Sequence, residues 1–252
     1  MQERIHGTVM PVLELTLDPG EHVVAESGEL SWMTSSMTMA TTTQGAGGGG
    51  VFGALKRGVS GGTLFMTSYT PVNEPAMIAF AAHLPGQIFP ADVTPQPGGG
   101  YMIHRHGYVC GVPGVTLTIG FQQRLGAGVF GGEGFILQKV AGQGRAWVQL
   151  SGEVITYDLQ PGQVMRVHPG HVGMFQDTVQ FGITTVPGIK NKLFGGDGLF
   201  LAQMAGPGRI WLQSLPIDRL AQSLQPYLPQ PNGDSNRGGV GGLAGSLFGG
   251  NS

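Results

Sequence analysis

The stretch "GEGFILQKVAGQGRAWVQL" at residues 132–150 returns as "GDGLFLAQMAGPGRIWLQS" at residues 196–214. The offset between the two copies is 64 residues (196 − 132). Five identities carry the match, in which Gly142, Gly144, Arg145, Trp147 and Gln149 correspond to Gly206, Gly208, Arg209, Trp211 and Gln213. Self-similarity at such an offset is typical of chains built from one repeated supersecondary unit.

Shorter landmarks extend the repetition to a third copy near the N-terminus. They comprise the Pro-Gly glycines Gly20, Gly98 and Gly162, the turn glycines Gly28, Gly107 and Gly170, and Phe-Gly triplets at residues 51–53, 129–131 and 193–195. All three landmarks keep the same spacing to within one residue. We therefore predict a triplication, with repeats at about 8–82, 83–150 and 151–215.

The segments between these landmarks are short, apolar and rich in β-branched residues, which indicates strands. Examples are "VLELTL" at 12–17 and "EVITYDL" at 153–159, and "LSWMTSSMTMATTT" at 30–43 is interpreted as one more strand. Each Pro-Gly landmark predicts a tight turn between antiparallel strands. The predicted fold class is all-β, as three tandem lobes in one compact body at residues 1–228.

The C-terminal part of the chain differs from the repeats. Leucine and isoleucine recur at three- and four-residue spacing over residues 216–228, which predicts one short helix closing the body. Residues 229–252 are glycine-rich and are predicted to form a flexible tail.

Composition restricts the classes of function. Charged residues make up only 11% of the chain, against about 25% in an ordinary globular domain. The net charge is −2, and no run of Lys or Arg exceeds Lys56-Arg57, which argues against strong nucleic-acid binding. No apolar stretch approaches the length of a transmembrane helix. We expect a soluble, cytoplasmic protein.

The glycine-rich run "QGAGGGGVFGALKR" at residues 44–57 resembles a phosphate-binding loop only at first sight. A Walker-type loop needs Gly-Lys followed by Ser or Thr, and here Leu55 precedes Lys56 while Arg57 follows it. Because Val-Phe-Gly recurs in copies with fewer glycines, the run is interpreted as an enlarged loop. No cofactor is predicted.

Histidines flank two equivalent turns. His104 and His106 would point to one face of a strand and could share a metal, as in the first half of a cupin motif. The glutamate that a cupin needs is missing, since Val109 and Cys110 hold its positions. His168 and His171 flank the turn of the third copy. Polar residues beside turns are the favoured interpretation, and a metal or small-ligand site is the alternative.

Catalytic groups are scarce elsewhere. Cys110 stands without a recognisable partner and is predicted to be a small buried hydrophobe. Glu26 and Glu29 flank the turn of the first copy and are interpreted as solvated. The sequence therefore predicts no catalytic residue.

The repeated Arg-x-Trp pairs are Arg145 with Trp147 and Arg209 with Trp211. Residues i and i+2 of a strand share a face, so each cation lies beside its indole. Trp and Arg are enriched at interfaces, and packing between lobes or subunits is the favoured interpretation. Stacking on a ligand or on RNA bases is the alternative.

Three stretches resemble one known family. They are "LDPGEHVVAESGELSWM" at 17–33, "GGGGVFGALKRGVSGGTLFMTSYT" at 47–70 and "GDGLFLAQMAGPGRIWLQS" at 196–214. Together they are similar to the altered-inheritance-of-mitochondria family, number twenty-four, and its bacterial relatives, over about residues 12–214. One departure is visible, because Gly61-Gly62-Thr63 stands where the family pattern has Gly-Glu-Ser.

The resemblance implies lobes like that of the tryptophan RNA-binding attenuation protein, each a short double-stranded β-helix type of sandwich. It also implies ring-like homo-oligomers, with a trimer expected. Mitochondrial members are tied to inner-membrane organisation and respiratory-complex assembly, and the resemblance supplies no catalytic residues. The leading hypothesis is a non-enzymatic assembly or scaffold protein that binds itself and other proteins. The alternatives are a cupin-like metal or small-ligand binder and an RNA-binding ring.

Overall fold

The structure is a computed structural model that describes residues 1–44, 64–123, 134–185 and 200–228. These residues form mostly β-strands and one short C-terminal helix, α1 (Ile217–Leu224), which confirms the predicted all-β class with its helix. A 3-10 turn, Gln225–Tyr227, follows α1. The glycine-rich run at 44–57, the Phe-Gly landmarks and the predicted tail at 229–252 lie wholly or almost wholly outside the described residues.

The described strands consist of an N-terminal strand and three groups of six. The N-terminal strand is β1 (Gln2–His6). Group one contains β2 (Val12–Leu17), β3 (Val23–Glu26), β4 (Trp32–Met33), β5 (Met37–Gln44), β6 (Leu64–Pro71) and β7 (Ala76–Ala81). Group two contains β8 (Gly86–Val93), β9 (Tyr101–His104), β10 (Tyr108–Gly111), β11 (Val115–Gln123), β12 (Phe135–Gly142) and β13 (Gly144–Ser151). Group three contains β14 (Val154–Leu159), β15 (Val164–Val167), β16 (Val172–Gln176), β17 (Gln180–Thr185), β18 (Phe200–Ala205) and β19 (Gly208–Gln213).

Each group contributes to two different sheets. Its first, third and sixth strands form one half-sheet, and its second, fourth and fifth strands form another. The four sheets have the orders β1-β2-β7-β4 (sheet A), β5-β6-β3-β10-β13-β8 (sheet B), β11-β12-β9-β16-β19-β14 (sheet C) and β15-β18-β17 (sheet D). Sheets B and C therefore each combine half of one group with half of the next.

Neighbouring groups meet at two equivalent strand pairs, which we call joint one and joint two. In joint one β3 pairs antiparallel with β10, and Cys110 lies opposite Ala25. In joint two β9 pairs antiparallel with β16, and Met174 lies opposite Ile103. Each joint pairs the second strand of one group with the third strand of the next.

Three hydrophobic cores fill the spaces between successive sheets. Alternation in β2 buries Leu13, Leu15 and Leu17 in the core between sheets A and B. A second core joins sheets B and C, and a third joins sheets C and D. Strand β13 is buried on both faces, since Trp147 enters the first core and Val148 the second. The cores thus run continuously from group to group.

The predicted tight turns at the Pro-Gly landmarks are present, and at the first of them the Glu21 N–H donates to the Asp18 carbonyl at 3.0 Å. The expected pairing of the strands on either side is wrong. Gly20 has φ +94°, a conformation that glycine adopts without strain, but the strands on either side of it belong to different sheets. β2 pairs with β1 and β7, whereas β3 pairs with β6 and β10. The turn residues determine where the chain reverses, and burial determines which strand becomes the neighbour.

The single strand predicted at residues 30–43 is also wrong, because it divides into β4 and β5 in different sheets. A turn separates them, closed by a hydrogen bond from the Met37 N–H to the Thr34 carbonyl at 3.1 Å. The Thr34 hydroxyl oxygen accepts the Met77 N–H at 3.1 Å and so ties this turn to β7. Side-chain hydrogen bonding of this kind competes with continued strand pairing.

The chain divides into two units, residues 1–220 and residues 221–252, and the boundary falls within α1. The three groups of strands belong to the first unit. Within the described ranges, no helix is both long and apolar enough to span a membrane.

Candidate functional site

The histidine turns are the first candidates for chemistry. Strand β9 ends at His104, and His106 lies in the following turn with φ +67°. The expectation that both rings share one face of a strand is therefore wrong. The chain must reverse before β10, and the Gly107 N–H closes that turn on the His104 carbonyl at 2.9 Å.

Each histidine turn is bound to the last strand of its own group. His104 Nε2 lies 3.3 Å from the Gln149 carbonyl oxygen on β13, and His171 Nδ1 lies 2.8 Å from the Gln213 carbonyl oxygen on β19. Burial lowers the pKa of His104 to about 4, since its charged form loses hydration. Burial also lowers the pKa of His106 and of His168. These rings favour their neutral forms.

The histidine rings do not assemble into a ligand set in the parts of the chain that the structure describes. The His168 and His171 rings meet edge to face with centroids 5.9 Å apart. No three His, Cys, Asp or Glu side chains among the described residues converge as metal ligands would. A protein zinc site uses three or four such ligands.

The carboxylates of the first turn are less solvated than predicted. Only 13% of the Glu29 side chain is exposed, and its Oε2 lies 3.5 Å from His83 Nε2. Burial, aided by the neighbouring charge of Glu26, raises the pKa of Glu29 to about 7. Burial also raises the pKa of Glu26, although its Oε1 accepts a hydrogen bond from Gln138 Nε2 at 2.9 Å. The solvated-turn interpretation is wrong, because both side chains are largely removed from solvent and contact Gln138 and His83 from other parts of the chain.

The lone cysteine matches its prediction. Cys110 is fully buried in joint one, which confirms that it packs as a small hydrophobe. Burial raises the pKa of its thiol well above the ordinary value, which disfavours the nucleophilic thiolate.

The first Arg-x-Trp pair lies within the chain. Trp147 is fully buried, and its indole N–H donates to Glu3 Oε2 on β1 at 3.1 Å. Arg145 Nε donates to Asp92 Oδ1 at 3.0 Å, and Arg145 Nη1 lies 3.6 Å from Glu3 Oε2. The pair therefore fastens β1 to sheet B across the first core.

The second Arg-x-Trp pair is more open. Trp211 is half-buried and meets Tyr101 edge to face with ring centroids 6.0 Å apart. The Arg209 guanidinium lies 6.0 Å from the Trp211 ring centroid and forms a two-pronged ion pair with Asp158 at 2.7 and 2.9 Å. Cation and indole lie side by side here, as the strand spacing predicts. A subunit-interface role for these four residues stays a prediction.

Buried glutamines provide a third repeated contact. Gln149 Oε1 accepts the His83 N–H at 3.2 Å, and Gln213 Oε1 accepts the Ser151 N–H at 3.1 Å. Each glutamine therefore binds the backbone at or just after the end of the last strand of the preceding group. Ala81 holds the corresponding position in group one.

Two sheet edges complete the inventory of candidate surfaces. Among the described strands, β4 pairs only with β7 and ends sheet A, and β15 pairs only with β18 and ends sheet D. Strands in their positions in the other groups have a second neighbour across a joint. The edges carry the exposed apolar side chains of Trp32, 47% exposed, and Val164, 52% exposed.

Two residues of these contacts and edges, Glu3 and Trp32, were not predicted from the sequence. Glu3 precedes the first repeat and has no counterpart in the other copies. Trp32 stands where the other copies have Cys110 and Met174, so comparison of the copies does not align it with another tryptophan. One sequence signal could have pointed to Trp32. It is a large aromatic residue in a short segment between turns, and such a segment is too short to pair along its length with a neighbouring strand.

These features define a class of protein, in which successive groups of six strands exchange half-sheets with their neighbours. The chain belongs to the mitochondrial biogenesis AIM24 family, whose model matches residues 3–215. This confirms the resemblance drawn from the sequence.

Two Streptococcus pyogenes proteins illustrate the similarity. An uncharacterised protein of serotype M6 is 27% identical over 225 residues, covering 87% of each chain. A crystal structure of a second protein, from a structural genomics consortium, has a TM-score of 0.70 at 23% identity and covers 90% of this chain and 99% of that one. This second match supports the fold alone.

Proposed function

We propose that the chain is a non-enzymatic assembly protein that forms a homo-oligomeric ring of β-sheets and presents that ring to other macromolecules. Each group of six strands is taken as one lobe of the attenuation-protein-like type. The ring is expected to be a trimer, which contains nine lobes, and to assemble in the cytoplasm.

The single observation that carries the proposal is the exchange of half-sheets. Inside the chain, every half-sheet that has a neighbouring group is completed by it. At the two ends, the half-sheet of β4 and the half-sheet of β15 lack such a complement among the described strands. Unpaired strand edges present backbone N–H and C=O groups that favour pairing with another chain.

Composition supports association as well. Only 11% of the residues are charged, and the cores of protein interfaces are depleted in charged residues. Several titratable groups of the described turns contact the protein itself, as in the contacts of His104 with Gln149 and of Glu29 with His83. The surfaces therefore suit packing more than acid–base chemistry.

Light scattering coupled to size-exclusion chromatography tests the proposal on the full chain. The chain has a mass of 26.3 kDa, so a trimer is expected at about 79 kDa (3 × 26.3). A mass of one chain throughout the micromolar range would refute the assembly. Retention of a radiolabelled RNA on a filter, with strong salt dependence, would instead favour the RNA-binding alternative.

A further inference from the structure

The open edges at β4 and β15 belong to strands that occupy the same positions as the strands of the two joints. Each joint pairs the second strand of one group with the third strand of the next, and β15 is a second strand while β4 is a third strand. Resting on the proposed self-assembly, we infer that β15 of one copy pairs antiparallel with β4 of a second copy. The resulting sheet has the order β17-β18-β15-β4-β7-β2-β1, with the first three strands from one copy and the last four from the other. We call this contact the seam.

The register of the seam follows from the two joints. In joint one Cys110 lies between Ala25 and Trp147, and in joint two Met174 lies between Ile103 and Trp211. Trp32 occupies the corresponding place in group one, because it pairs with Ala79. Ala79, Trp147 and Trp211 are equivalent positions in the last strands of the three groups. Each lies three residues after the first residue of its strand, which is Ala76 in β7, Gly144 in β13 and Gly208 in β19.

The other side of the seam is placed by the Pro-Gly turns. Ala25 and Ile103 each lie five residues after the Pro-Gly glycine of their group, Gly20 or Gly98. Val167 lies five residues after Gly162. The seam therefore sets Trp32 opposite Val167 of the second copy. One step along the strands, Met33 lies opposite Arg166, as Gly111 lies opposite Val24 in joint one.

The exposure of the edge residues fits this pairing. Cys110 and Met174, which hold the place of Trp32 in the joints, are 0% and 1% exposed, whereas Trp32 is 47% exposed. Pairing across the seam would remove the Trp32 indole from water. Burial of an aromatic side chain is among the larger favourable contributions to an interface.

The length of the edge strands points the same way. β4 has two residues, whereas β10 and β16 have four and five. A very short edge strand discourages indiscriminate pairing. We expect β4 to lengthen when a second copy supplies the hydrogen bonds that β3 and β9 supply to β10 and β16. The occupant of the edge is thus a second copy of this chain, whose β15 edge continues the series of joints.

The seam is head-to-tail, since it joins two different surfaces. Such contacts close into a ring or extend into a filament, depending on the rotation between copies. Both products contain the same strand pair, so stoichiometry does not test the seam. Cross-linking in register does.

Cysteine pairing between separately purified chains provides that test. Directly opposed residues of an antiparallel pair lie close enough for a disulfide. A chain with Met33→Cys is mixed with a chain carrying Arg166→Cys and oxidised gently, and Trp32→Cys is mixed with Val167→Cys in parallel. At least one mixture should give a linked dimer at about 53 kDa (2 × 26.3) on a non-reducing gel. Native Cys110 is fully buried and stays in place.

Two controls isolate the register and the polarity. Met33→Cys mixed with Val164→Cys is two residues out of register and should link at least about tenfold more slowly. Each single variant alone should give no linked dimer, because a head-to-tail seam never brings a residue beside its own copy. Linking in single variants alone, or equal linking out of register, overturns the seam.

A charge at the edge gives an independent measurement. Trp32→Glu alters a side chain that is half exposed in the single chain, so the fold should persist while the seam acquires a buried charge. The dissociation constant of the oligomer should rise at least about tenfold. Ile155→Glu, at a residue 51% exposed on β14, is the matched control and should leave the oligomer intact. An oligomer that survives Trp32→Glu overturns the seam but leaves the proposed function standing, whereas a monomeric native chain refutes the proposed function.

Discussion

Sheets B and C have the same order of strand roles, yet they surround the same Arg-x-Trp motif in different ways. In sheet B, Trp147 is fully buried and Glu3 of β1 accepts its indole N–H. In sheet C, Trp211 remains half-buried against Tyr101, with Arg209 over its ring. The motif fixes where an indole lies on a strand, and the layer that covers the strand decides how much that indole stabilises the fold.

The largest expected difference between the sheets concerns the indoles themselves. Trp147→Ala should lower the free energy of unfolding by about 3–5 kcal/mol, because it opens a cavity in a closed core. Trp211→Ala should cost less, since Trp211 is only partly buried and packs at the edge of the second core. Urea denaturation followed by far-UV circular dichroism, at one protein concentration, measures both. Equal losses would mean that the two sheets are covered alike.

Substitution of Glu3 tests how much the contact between β1 and Trp147 contributes to stability. Glu3→Ala leaves the Trp147 indole N–H without its acceptor and should cost about 1–3 kcal/mol, the penalty of an unsatisfied buried donor. Glu3→Gln keeps an acceptor oxygen in reach and serves as the control, with a smaller loss. If both substitutions were neutral, β1 would contribute nothing to the environment of Trp147.

The turns of groups one and two should respond to pH with opposite signs. The folded pKa of Glu29 is raised to about 7, so the unfolded chain ionises first and stability falls as pH rises from about 4.5 to 7. The folded pKa of His104 is lowered to about 4, so the unfolded chain takes up a proton first and stability rises between about pH 4 and 6.5. Glu29→Gln and His104→Gln should each remove one of these slopes, by on the order of 1 kcal/mol across the window after allowing for solvent screening.

Urea midpoints measured at half-unit pH steps separate the two contributions. The two variants control for each other, because their profiles should depart from the native profile in opposite directions. Parallel profiles for the native chain and both variants would show that neither group changes its pKa on folding.

The smallest expected effect lies at the surface of sheet C. Arg209→Ala removes an exposed two-pronged ion pair with Asp158 and should lower stability only slightly, by an amount that decreases as salt is added. Arg145→Ala should cost more, because Arg145 contacts both Asp92 and Glu3 in sheet B. A larger loss of stability for Arg209→Ala than for Arg145→Ala would show that the Arg209–Asp158 ion pair is the stronger of the two.

Local patterns predicted the mostly-β class and the C-terminal helix, from apolar β-branched segments and from the spacing of leucine and isoleucine. The burial of Cys110 was predicted from its residue type and its lack of a recognisable partner. Partner choice between strands is non-local, and it went wrong at both the Pro-Gly turns and residues 30–43. A turn such as that at Gly20 reverses the chain equally well whether the next strand joins the same sheet or a facing one. The choice between the same sheet and the facing sheet depends on which faces of each strand become buried, as in β13, where both faces are buried.

The candidate site was predictable to a smaller extent. Arg209 and Trp211 lie side by side as strand spacing requires, because that relation is set within one strand. The depressed solvation of Glu26 and Glu29 depends on residues far along the chain, Gln138 and His83, which no local pattern identifies. The same is true of Glu3 and its distant contact with Trp147.

The boundaries of the repeats do not coincide with the boundaries of the sheets, and this affects how such chains can change in length. A repeat unit carries one half of each of two neighbouring sheets, and so removing or duplicating a whole unit leaves the two terminal half-sheets of the same kind. A two-unit or four-unit descendant would display the same complementary pair of ends as the three-unit chain. Gene duplication can therefore alter the number of modules in a polypeptide while conserving the way in which polypeptides fit together.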